Sequence, residues 1–113
     1  MNNAVLAIVA TEAKQAAQKE TTLEGRLRAA MNAVKDHWMV TDDDVRFQGA
    51  VAGAHMLSDD SDKKRIEFEL RFLRTMSAAS SGVPVNLGAL LEEAGEDYEP
   101  IGLTKLWHEA KKA

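Results

Sequence analysis

The stretch AVLAIVATEAKQAAQKETTLEGRLRAAMNAVKDHW, residues 4–38, decides how the chain is read. At 100° per residue, Val5, Val9, Ala13, Ala16, Leu23, Leu27, Ala30, Met31, Val34 and Trp38 fall on one stripe. Lys14, Gln15, Gln18, Arg26, Asn32 and Asp36 fall outside it. The core positions advance by alternate steps of four and three, a heptad rhythm broken only by Glu20. This predicts one long N-terminal helix over about 4–38, continuous or gently kinked near 20–25. Against continuity stands Thr21 with Glu24 three residues on, a capping-box pattern that would start a new helix there.

Working outward, Thr41 is the expected N-cap of a second helix over about 42–57. Asp42, Asp43 and Asp44 suit the positive end of its dipole, and Val40 and Val45 flank the cap. Val45, Gly49, Ala52 and Met56 lie on one side of this helix and Phe47, Ala50, Val51 and Ala54 on another, so it is expected to be the most buried. Gly49 and Gly53 each lower helix propensity by about 1 kcal/mol relative to Ala. Their place in a helix predicts close approach of a neighbour.

Ser58-Asp59-Asp60-Ser61-Asp62 reads as a turn and a helix start, with Asp59, Asp60 or Ser61 as cap. The run Ile66 to Phe72 alternates apolar and polar residues as a strand would. A helix over about 61–79 is nevertheless preferred. No other stretch offers a partner strand, the ends match the helix dipole, and Arg65–Glu69 and Glu67–Arg71 have i,i+4 spacing. Gly82 and Pro84 end it. Asn86 is placed to cap a short helix, Leu87 to Ala94, with Leu87, Leu90, Leu91 and Ala94 inward and Gly95 as stop. A last helix, Leu103 to Lys112, groups Leu103, Leu106, Trp107 and Ala110. The expected fold is all-α: a small helical bundle in one domain, 1–113, with the long first helix on a helical hairpin and two short C-terminal helices.

The 113 residues are 45% hydrophobic but only 5% aromatic, so the core must come from Ala, Leu, Val and Met. Such a core gives modest stability, for which oligomerisation is a natural remedy. The Ala-rich half of the first helix is where a second subunit is expected. The absence of Cys excludes disulfides and thiolate chemistry. The Met1-Asn2-Asn3 start lacks a basic leader region, and Ala4 to Ala10 falls well short of the ~20 residues of a membrane span. A cytoplasmic location is therefore expected. The composition is common among phage and mobile-element accessory proteins, though no motif assigns a family.

Sequence signals for catalysis are weak. No phosphate loop, metalloprotease motif or nucleophile elbow occurs. His37, His55 and His108 are far apart and do not suggest a metal site; His37 and His108 read as helix-end surface residues. The Asp59 cluster lacks the Gly and Glu of a calcium loop. No cofactor and no enzyme activity are expected.

Charge is unevenly spread about a net −4: residues 36–62 carry −6 and 75–104 carry −5, while 63–74 carry +3. The leading expectation is a non-catalytic inhibitor, adaptor or assembly factor that docks on a protein with a basic surface. Asp42, Asp43, Asp44, Glu92, Glu93, Glu96, Asp97 and Trp107 are the candidate contacts. Of Trp38 and Trp107, the simplest expectation places both in the core, with one as an exposed anchor the alternative. A second function is nucleic-acid binding through Lys64, Arg71 and Arg74, which share one side of a helix.

Overall fold

The computed structural model describes residues 3–112; the Met1-Asn2 start and Ala113 lie outside them. Six helices and no strand occur among the described residues: α1 (Asn3–Ala17), α2 (Leu23–Val34), α3 (Asp43–Leu57), α4 (Asp60–Ser80), α5 (Leu87–Ala94) and α6 (Leu103–Lys112). The all-α expectation holds, and the 66–72 alternation is helical.

The long first helix does not. It is broken after Ala17, and α1 and α2 pack against each other as well as against α3. The cap is Thr22, one residue beyond the expected Thr21; its hydroxyl accepts from the Gly25 N–H at 3.0 Å. The stripe keeps its phase because both halves line the same core from a folded hairpin. Ala17, rather than Ala16, is fully buried at the end of α1.

α3 sits at the centre, as expected. A Cβ on Gly49 would come within 2.3 Å of Val9 Cγ1, and one on Gly53 within 2.6 Å of both Ala13 Cβ and the Lys14 backbone nitrogen. The two glycines therefore admit α1 to backbone contact. Val9, Ala10, Ala13 and Ala17 are buried there within one chain. The face expected to receive a second subunit is thus occupied by α3. Met56, at the far end of α3, emerges into solvent.

The cap of α3 is Asp42 rather than Thr41, accepting from the Asp44 N–H at 2.9 Å. Asp59 caps α4 through the Asp62 N–H at 2.8 Å. α3 and α4 touch over little of their length. The expected i,i+4 pairs of α4 do not form: Arg65 meets Asp62, Glu67 meets His55 and Arg71 meets Glu93. At its end, Gly82 takes φ +83° while Val83 N–H bonds back to Ala78 O, a glycine-stopped terminus as the sequence predicts.

Glu69 turns inward and caps α6 from a distance. Its carboxylate accepts from the N–H groups of Ile101 (2.5 Å), Gly102 (3.3 Å) and Leu103 (2.8 Å), and from the Tyr98 hydroxyl (3.2 Å). At the other end of α6, Lys35 Nζ donates to Ala110 O at 2.9 Å. Leu103, Leu106, Trp107 and Ala110 are buried, as expected. α5 departs from expectation: none of its residues is buried, and Leu91 is 60% exposed. No helix of the described residues is long and apolar enough to cross a membrane.

Candidate partner-docking site

The turn between α2 and α3 is built by alternating inward and outward residues. Lys35 N–H closes α2 on Met31 O, His37 N–H bonds Val34 O, and Val40 N–H bonds His37 O. His37 and Val40 point inward and are buried, so His37 is not the surface residue expected. Its Nδ1 accepts from the Met39 N–H at 3.3 Å, and its Nε2 lies 3.0 Å from the Glu12 carboxylate of α1. Arg46 of α3 reaches back to the carbonyls of Val40 and His37. The turn is therefore held by its own backbone bonds and by Arg46 of α3, with Glu12 of α1 against the His37 ring.

The two residues between these anchors face out. Trp38 is 85% exposed and Met39 45%. Ile8, one helical turn before Glu12 on α1, is 41% exposed. The Trp38 expected in the core stripe is instead the most exposed large apolar side chain among the described residues. The nearby cations are turned to backbone carbonyls, Lys35 to Ala110 and Arg46 to the turn, whereas Asp36, Asp42, Asp43 and Asp44 are exposed.

Trp107 does complete the core, at 4% exposure, and is withdrawn from the surface on which it was expected to meet a partner. It packs against Phe47 at 5.9 Å between ring centroids. Its Nε1–H donates to Asp43 Oδ2 at 3.2 Å, and Lys111 Nζ donates to the same oxygen at 2.8 Å. Lys111, and then the indole, hold the Asp43 carboxyl below its usual range against the opposing cost of burial. Asp43 thus ties α3 to α6. A cleft of about 1030 Å³ opens beside it, between Asp43 and Phe47 of α3, Leu73 and Arg74 of α4, and Trp107.

Of the second acidic group, Glu92, Glu96 and Asp97 are exposed. Glu93 is clamped by Arg71 through two hydrogen bonds of 3.1 and 2.5 Å, which lower its pKa and raise that of Arg71. Tyr98 is pushed up to about 12, by burial first and then by the Glu69 charge and hydrogen bond. The basic set is divided: Lys64 and Arg71 line one depression with Glu67 and Glu93, while Arg74 lines the cleft beside Asp42, Asp43 and Asp44. No group of three or more His, Asp or Glu side chains among the described residues is arranged to hold a metal ion.

Nothing in the sequence singles out Glu69, and of the two tryptophans it is Trp38, not the candidate Trp107, that is exposed. A usable signal lay in the spacing: once α2 stops before Lys35 and Asp42 caps α3, Trp38 falls in the connection. Comparison of the chain with protein-family models, with curated proteins and with solved structures returned no match.

Proposed function

We propose that this is a non-catalytic cytoplasmic interaction protein that docks on another protein through the Trp38 turn. One observation carries the reading: a tryptophan 85% exposed at the tip of a turn pinned by His37, Val40 and Arg46. Leaving an indole in water forgoes favourable burial, and a pinned turn loses little conformational freedom on binding. Tryptophan is among the residues enriched at binding hot spots.

The surroundings define the partner. Exposed Asp36, Asp42 and Asp44 flank the aromatic tip, so the complementary surface is an apolar pocket rimmed by Lys or Arg. Long-range attraction speeds encounter, and indole burial sets the residence time. The protein would act by occluding or bridging that surface.

The test is affinity capture from host lysate with the parent chain and with Trp38→Ala, washed over a range of ionic strength. The reading expects a partner with a basic surface that Trp38→Ala fails to retain and that salt elutes. It is abandoned if the variant retains the same partners, or if retention ignores salt.

A further inference from the structure

An apolar pocket lies at the opposite end of α6 from the Trp38 turn. That turn starts at Lys35, which meets Ala110 at the C-terminal end of α6. At the N-terminal end, seven residues or about 10 Å from Ala110, α4 and the loosely packed α5 enclose a pocket of about 330 Å³. Phe68, Phe72, Leu91, Ala94, Tyr98 and Leu103 form its wall, with Tyr98 edge-on to Phe68 at 4.8 Å. The one carboxylate at its base, Glu69, is already saturated by four donors.

The wall is therefore almost entirely carbon. A small-molecule site normally presents a few free polar groups that fix the ligand's orientation, and this pocket presents none at its base. A pocket of this kind suits an apolar side chain whose orientation is set by contacts outside. The surroundings are acidic on the α5 and loop side, while Lys64, Arg65 and Arg71 stand on the α4 side, where Arg71 lies over the Phe68 ring and is paired with Glu93. Residues 92–99 hold five carboxylates and no cation, and only Glu93 of them has an ion-pair partner among the described residues. Glu92, Glu96, Asp97 and Glu99 lie along the α5 and loop rim, where Lys105 is the one exposed cation of the pocket lining; Lys64 and Arg65 lie across the Phe68–Tyr98 wall.

We infer that this pocket receives one large apolar side chain of a basic protein segment, whose flanking Lys or Arg residues lie over the carboxylates of residues 92–99. The site needs nothing from Trp38, so either reading can fail without the other.

The probe is a synthetic peptide with a central phenylalanine between paired lysines, titrated into the isotope-labelled full chain while backbone amide shifts are followed. Shifts should centre on Leu91, Ala94 and Leu103 and fade with salt. A peptide with alanine in place of the phenylalanine should bind about tenfold more weakly, as loss of an anchor requires. Ala94→Trp fills the pocket and should abolish binding. Leu91→Lys alters an already exposed position, leaves the fold intact and should weaken binding by a similar factor. Trp38→Ala should bind as the parent does. No shift at millimolar peptide, equal binding of the alanine peptide, parent-like binding by both pocket variants, or loss of binding in Trp38→Ala would each overturn the proposal.

Discussion

Glu69 shows how one side chain can hold two helices in register. It sits on α4, is buried, and supplies the acceptors that the N-terminus of α6 lacks locally. In sequence it is one charge in an alternating run, Ile66 to Phe72, which looks the same whether each charge is solvated or sequestered. Only the placement of Gly102 and Leu103 beside it, from over thirty residues away, distinguishes the two. Glu69→Ala removes the acceptor and leaves several N–H groups poorly paired. Chemical denaturation should show a loss of about 3 kcal/mol, with Glu69→Gln intermediate.

Tyr98 reports on the same group. Because its folded pKa is raised to about 12, the unfolded chain releases the phenolic proton at lower pH than the folded one. Its stabilising contribution is complete below the unfolded value of about 10 and declines as pH rises towards 12. As the only tyrosine, it can be followed by tyrosinate absorbance without interference. Native protein should titrate well above free tyrosine, and Tyr98→Phe should lessen the alkaline loss of stability. A titration like that of free tyrosine would contradict the buried Glu69–Tyr98 contact.

At the scale of elements, the sequence was legible wherever local chemistry decides. Asn86 and Gly95 bound α5, Asp59 caps α4, and Gly82 stops it, all as the cap and stop residues imply. It was not legible where two arrangements bury the same stripe. A straight 4–38 helix and the α1–α2 hairpin place most of the same residues inward, with Trp38 and the Ala16/Ala17 exchange as the differences, so periodicity could not separate them. The Gly49 and Gly53 signal was legible in kind but not in partner, which is α1. Helix propensity alone favours Gly53→Ala by about 1 kcal/mol, but the new methyl would meet the Lys14 nitrogen at 2.6 Å and Ala10 O at 2.8 Å. Backbone cannot rotate aside, so overpacking should prevail, with a net loss of about 2 kcal/mol. The control is Gly88→Ala on exposed α5, where the nearest atom is Asn86 Oδ1 at 3.5 Å. Urea midpoints should fall for the first and stay level or rise for the second.

At the scale of the molecule, stability is unevenly distributed, and the two proposed docking sites differ accordingly. The Trp38 turn is fastened to the well-packed assembly of α1, α2, α3 and α6. The 330 Å³ pocket has α5 as one wall, and α5 buries no residue. Its strongest tie to the rest is the Arg71–Glu93 pair, both of whose side chains are about half exposed. Exposed pairs contribute little, so α5 should open independently of global unfolding. Native-state hydrogen exchange should find the Leu90–Ala94 amides the fastest of the helical amides away from helix ends, with little dependence on denaturant. Amides of α3 around Ala50–Ala54 should exchange only through global opening. Arg71→Ala should speed exchange in α5 and leave α3 unchanged. If α5 instead exchanges in step with α3, the helix is part of the cooperative core. The pocket would then be a fixed feature rather than one whose wall can adjust to an incoming side chain.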